Sequence, residues 1–122
     1  MKFPEKFNII EDNNYIYSRF TFHTITKEQE TKTLINSYNN LKEGGLIFIE
    51  VRSIKDDMFK KSIKISSTEG KTNHYRRFII YDLFIKKIEQ TGFKIIESIE
   101  AQNLAIYKNE NPYIIRVIAQ KL

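Results

Sequence analysis

The sequence predicts an α/β fold, a mainly parallel sheet flanked by helices and ending in an antiparallel pair. Three observations carry this expectation. Strand-like and helix-like segments alternate along most of the chain, as they do in parallel α/β sheets. One strand-like segment, "LIFIEV" at 46–51, is apolar almost without interruption, which suits a strand covered on both faces. The last two strand-like segments, 93–101 and 113–121, have no helix between them, so they are expected to pair as antiparallel neighbours. At 122 residues the chain is expected to form one domain, 1–122, with a single core.

The elements follow in order. Residues 1–13 are polar and read as an irregular lead-in or a poor edge strand. "YIYSRF", 15–20, is rich in aromatic and β-branched types and reads as a strand. Thr26 with Gln29 three residues on is a capping box, and Leu34, Ile35, Tyr38 and Leu41 recur at helical spacing, so a helix is expected over 26–42. Gly44 and Gly45 end it and lead into 46–51. Residues 79–91 read as an amphipathic helix with Leu83, Phe84 and Ile88 inward, closed by Gly92. Strands are expected at 93–101 and 113–121, with a polar turn region at 102–112 between them. The expected order is therefore β-α-β-α-β-β, the last two strands forming a hairpin, and Tyr15, Tyr17, Phe48 and Phe84 are expected in the core.

Residues 53–77 have no clear periodicity and are expected to be a long basic loop, too long for an ordinary connection and hence functional or mobile. Seven Lys or Arg (Lys55, Lys60, Lys61, Lys64, Lys71, Arg76 and Arg77) face three carboxylates there, a net +4 out of +5 for the chain. A Lys-, Asn- and Ile-rich composition discounts the total charge as evidence for an anionic partner, but its concentration in one segment is informative. There is no cysteine, hence no disulfide or thiolate metal site. The two histidines lie in separate segments without ligand spacing, so no metal is expected. Phosphate-loop, dinucleotide and nucleophile-elbow motifs are absent. No apolar run approaches a membrane span and the first residues lack a signal-peptide pattern, so the expected compartment is the cytoplasm, with no membrane partner. Binding of nucleic acid through 53–77 has suitable charge but no recognised module, and ranks last among the functional readings.

Four stretches resemble the rear half of the class I S-adenosylmethionine-dependent methyltransferase fold, a Rossmann-like sheet. "YIYSRFTFHTI" resembles its fourth strand and the loop after it, and "LKEGGLIFIEVRS" the passage from a helix over Gly-Gly into strand five. "HYRRFIIYDLFIKKIEQTGFKIIES" resembles the approach to strand six, and "NPYIIRVIAQK" the closing strand. The resemblance covers roughly residues 14–121. The family holds its cofactor on a glycine-rich turn after strand one, where the backbone must approach the ligand closely. The four glycines of this chain (Gly44, Gly45, Gly70 and Gly92) form no G-x-G pattern. The resemblance therefore implies that the cofactor-binding half is not among these residues, and that S-adenosylmethionine is bound only if that half is supplied. It also implies an uncovered edge at the 15–20 strand, open to a complementing half or to a second copy of the chain.

Ligands of open α/β sheets bind at the carboxyl ends of the parallel strands. Ser18, Arg19, Phe20 and His23 stand there after the first strand, and Arg52 after 46–51, with His74, Tyr75, Arg76 and Arg77 leading into the next helix. The expected roles are His23 or His74 as proton acceptor, Arg19, Arg52, Tyr75, Arg76 and Arg77 as contacts to a small anionic acceptor, and Ser18 and Phe20 as cofactor contacts. Each has a plainer alternative: Arg19 as an ion pair with Glu50 or Glu11, His23 as a helix-start residue, His74 and Tyr75 as loop anchors, and one of the paired arginines as solvated. Two functions stand against each other: the acceptor side of a methyltransferase, or a non-catalytic relative that dimerises or regulates a partner.

Overall fold

The structure, a computed structural model, describes residues 14–19, 22, 25–71 and 75–122, with the backbone alone at Arg19 and Tyr75. The first strand, β1 (Tyr15–Arg19), is followed by helix α1 (Lys27–Asn40) and strand β2 (Leu46–Arg52). After β2 come a short helix α2 (Asp57–Lys61) and three short strands, β3 (Ile63–Lys64), β4 (Glu69–Lys71) and β5 (Tyr75–Arg77). Helix α3 (Tyr81–Thr91) and strands β6 (Phe93–Ala101) and β7 (Ile114–Lys121) complete the described elements.

The main sheet has the order β1-β2-β7-β6. β1 and β2 run parallel with Arg19 opposite Glu50, so their carboxyl ends share one rim. β7 lies antiparallel between β2 and β6, which places the last strand inside the sheet and β6 at its edge. All seven residues of β2 are buried, as its unbroken apolar pattern anticipates. Alternation along β2 sends Ile47, Ile49 and Val51 to one face, where they join Leu34, Leu41, Phe84, Ile88, Ile115 and Val117 in the main core under α1 and α3. Leu46 and Phe48 face the other way, into a smaller cluster with Ile118 and Tyr17.

Local chemistry explains the helices. The α1 capping box is present: the Gln29 N–H donates to Thr26 Oγ1 at 3.2 Å, and the Thr26 N–H to Gln29 Oε1 at 2.9 Å. Leu34 and Leu41 are buried, whereas Ile35 is exposed. In α3, Phe84 and Ile88, four residues apart, take the buried face, and Leu83 is 60% exposed instead of inward, because one residue is about 100° around the helix from Phe84. Gly92 closes α3 at φ +122°, with the Tyr38 ring where a β-carbon would stand (2.9 Å). Tyr15, expected in the core, is 42% exposed.

The larger correction concerns 53–77. Its described residues, 53–71 and 75–77, form α2 and a three-stranded antiparallel sheet of order β3-β4-β5 instead of one long loop, so the simple β-α-β-α-β-β order does not hold. Its strands are two or three residues long, too short for alternation to show in the sequence. Their backbone bonds hold them: Gly70 pairs with Lys64 on one side and with Arg76 on the other. A β-carbon at Gly70 would collide with Ser62 Oγ, so the chains approach closely there. The insert begins and ends on the main sheet, where Ser53 bridges Ile79 and the Ile79 N–H donates to the Arg52 carbonyl at 3.0 Å. Among the described residues no helix is long and apolar enough to cross a membrane.

Candidate functional site

At the carboxyl end of β2 the chain turns sharply, and Asp56 comes back beneath Arg52. Arg52 Nη1 donates to Asp56 Oδ2 at 2.9 Å, and both side chains are buried. Asp56 Oδ1 accepts the Tyr113 N–H at 2.9 Å, which ties the end of β2 to the residue before β7. The other Arg52 nitrogen, Nη2, stands 3.8 Å from Glu110 Oε2. β5 carries Arg76 to the opposite wall, with its Nη1 against Met58 Sδ of α2. Burial lowers the Arg76 pKa from its usual value, and the nearby Arg52 guanidinium lowers it further, while Glu110 and Asp56 act in the opposite sense.

These residues line a cleft of about 570 Å³, with Asp57, Lys61 and 109–112 completing its walls. That volume is in the range of small-molecule sites, about 300–1,000 Å³. Two guanidiniums in one cleft can grip a phosphate or carboxylate through several N–H groups at once.

Of the expected site residues, the structure brings Arg52 and Arg76 together here. Arg77, on the opposite side of β5, is buried and engaged elsewhere: its Nη2 donates to Glu30 Oε1 at 3.0 Å and to the Phe22 carbonyl at 3.2 Å, and its Nε to the Ile25 carbonyl at 2.9 Å. Lys87 of α3 also pairs with Glu30, at 2.5 Å, so one buried carboxylate joins α1, β5 and α3. A smaller cavity of about 210 Å³ adjoins this ion cluster. Ser18 stands at the end of β1 on the same rim as Arg52, as does the backbone of Arg19. The Glu50 carboxylate opposite Arg19 accepts from Arg116 Nε at 2.7 Å. The side chains of Arg19 and Tyr75, and all of Phe20, His23 and His74, lie outside the described residues.

Asp56, Met58 and Glu110 were not singled out by the sequence. The four-residue spacing of Arg52 and Asp56 was a usable signal. Glu110 had none, because it reaches Arg52 only through the turn between β6 and β7. Ser53, at the rim, is occupied: its hydroxyl donates to Glu100 Oε2 at 2.6 Å and accepts the Lys55 N–H at 3.0 Å. Lys55 Nζ in turn lies 3.1 Å from Glu100 Oε1, and that bond raises the Lys55 pKa. Among the described residues no group of three or more His, Asp or Glu is placed to hold a metal ion.

A mixed sheet of order β1-β2-β7-β6, with two parallel strands and an antiparallel pair, defines the class of fold, and solved structures make it specific. The chain has the fold of S-adenosylmethionine-dependent methyltransferases, of which it carries a part. A SAM-dependent methyltransferase from Methanosarcina mazei superposes with a TM-score of 0.75 at 12% identity, over 89% of this chain and 59% of its own. An S-adenosylmethionine-dependent methyltransferase from Clostridium acetobutylicum gives 0.62 at 13%, over 95% and 61%. The glycopeptide N-methyltransferase MtfA in complex with S-adenosyl-L-homocysteine gives 0.62 at 12%, over 89% and 54%. At these identities the likeness is one of fold, and the chain spans less than two thirds of the length of the structures it matches. No protein-family model and no curated protein sequence matches the chain.

The glycines do not fit a cofactor cradle. Gly92 caps α3, Gly70 lies against Ser62, and Gly44 and Gly45 make the turn into β2, where the Gly44 N–H donates to the Lys121 carbonyl at 2.6 Å. Each is used by the fold, and none follows a strand in the way a dinucleotide or methyltransferase turn does.

Proposed function

We propose that these residues form the acceptor side of an S-adenosylmethionine-dependent methyltransferase acting on a small anionic molecule. The turn that holds the cofactor then comes from other residues, on the same or on a second polypeptide. The observation that supports the reading is the convergence of Arg52, at the carboxyl end of β2, with Arg76 of the insert on one cleft. In open α/β sheets that rim is where ligands bind. S-Adenosylmethionine, when bound, supplies the methyl group. The part of this chain is to bind the acceptor anion and hold its reacting atom in line, which by itself lowers a transfer barrier. His23 and His74 remain the candidate proton acceptors, Arg19, Tyr75 and Arg77 candidate further acceptor contacts, and Ser18 and Phe20 candidate contacts to the cofactor, with Arg77 the weakest of them because Glu30 already engages it.

The test is a calorimetric titration of S-adenosylmethionine into the folded 122-residue chain, with its mass in solution measured on the same sample. The expected result is no binding by the chain alone, and binding with methyl transfer once a glycine-rich half of this fold is supplied. Micromolar binding by the chain alone overturns the account of where the cofactor turn comes from. The second reading, a non-catalytic partner protein, is favoured by the structural use of every glycine. A stable dimer paired through the 15–20 strand, inert when the missing half is added, decides for it.

A further inference from the structure

Two carboxylates face Arg52 at different distances. Nη1 makes a 2.9 Å bond to buried Asp56, whereas Nη2 meets Glu110 Oε2 at 3.8 Å, beyond hydrogen-bond length, and the Glu110 side chain is 55% exposed. Glu110 is nevertheless placed there by a built turn. Tyr107 and Glu110 exchange two backbone bonds of 3.0 and 2.9 Å, and Lys108 between them adopts φ 53°. Outside that turn, Asn111 Oδ1 accepts the Asn103 N–H at 2.8 Å and Asn111 Nδ2 donates to Asn103 Oδ1 at 2.9 Å. A carboxylate is thus presented to one guanidinium on a braced turn, but bound to it only loosely. Arg76, on the other wall, is close enough for Arg52 to lower its pKa and for Glu110 to oppose that shift. Two neighbouring guanidiniums repel unless an anion balances them.

We propose that Glu110 is a specificity-determining residue of the cleft: its carboxylate holds the Nη2 side of Arg52 until an oxyanion of the acceptor displaces it and bridges Arg52 and Arg76. The inference rests on the anionic-acceptor reading above. It has a consequence for ligand class. A monocarboxylate replaces one carboxylate by another and gains little. A phosphate group, with more charge and three acceptor oxygens, reaches both guanidiniums, so the cleft favours phosphorylated small molecules over simple carboxylates.

Inorganic phosphate and acetate are titrated into the wild-type chain, Glu110→Gln and Arg76→Gln at low ionic strength, where such contacts are least screened, and binding is followed by amide chemical shifts. Glu110→Gln is expected to bind phosphate about five-fold more tightly than wild type, the scale set by removing one loose competing ion pair. Arg76→Gln is expected to bind phosphate more weakly, and acetate more weakly than phosphate throughout. Equal phosphate affinity in wild type and Glu110→Gln overturns the competition and leaves the anion cleft standing. Acetate binding as well as phosphate overturns the preference. No binding of phosphate to any of the three, each with a native spectrum, overturns the anion cleft and this inference together.

Discussion

The four-stranded sheet and the insert between Ser53 and Ile79 are built by different means. The sheet rests on apolar burial: β2 is buried throughout, and Ile47, Ile49, Ile115 and Val117 lie beneath α1 and α3. The insert has strands of two or three residues, and its buried apolar anchor is Phe78, packed on Phe59 with ring centroids 5.1 Å apart. It is fastened to the rest by ions, through Arg77 with Glu30 and Lys87 on one side and Arg52 with Asp56 on the other. The difference teaches a division of labour. Apolar ladders give a platform, and an ion-pinned insert brings Arg76 to the cleft that Arg52 also lines.

Three substitutions break or sharpen this comparison. Ile49→Ala, at a fully buried position in β2, is expected to cost about 4 kcal/mol of global stability, read from the denaturant midpoint. A cost as small as that of an exposed site would mean that the sheet is not the platform.

Glu30→Ala leaves Arg77 buried without its carboxylate and is expected to cost about 3 kcal/mol. Hydrogen exchange separates local from global loss: amides of β4 and β5 should lose protection while those of β2 and β7 keep theirs. Uniform loss across all four strands would erase the distinction between platform and insert.

Gly70→Ala is expected to cost about 2 kcal/mol by overpacking, since its β-carbon would collide with Ser62 Oγ and meet Ser62 Cβ at 2.7 Å. Ser62→Gly in the same chain should recover much of that loss. No recovery in the double variant would mean that the contact with Ser62 is not the source of the loss.

Much of the framework was legible in the sequence, because it rests on local signals. Thr26 and Gln29 announce the start of α1, Gly92 the end of α3, and the apolar run 46–51 a strand with two covered faces. The candidate site was legible only in part. Arg52 and Arg76 were candidates by residue type and by position near the strand ends, and both line the cleft. Arg77, equally plausible on paper, turns away because neighbours on a strand point to opposite faces and a buried carboxylate waits on its side.

By itself, the sequence determined the capping-box start of α1, the glycine end of α3 and the buried character of β2, and it carries no G-x-G turn. These follow from residue type and short-range spacing, which act over a few positions along the chain. Only the tertiary structure decided that the described residues between Ser53 and Ile79 form α2 and three paired strands, that β7 enters the sheet between β2 and β6, and that Glu110 faces Arg52. The physical reason is range. Those outcomes depend on backbone pairings and ion pairs between residues far apart in the chain, whose partners no local pattern names.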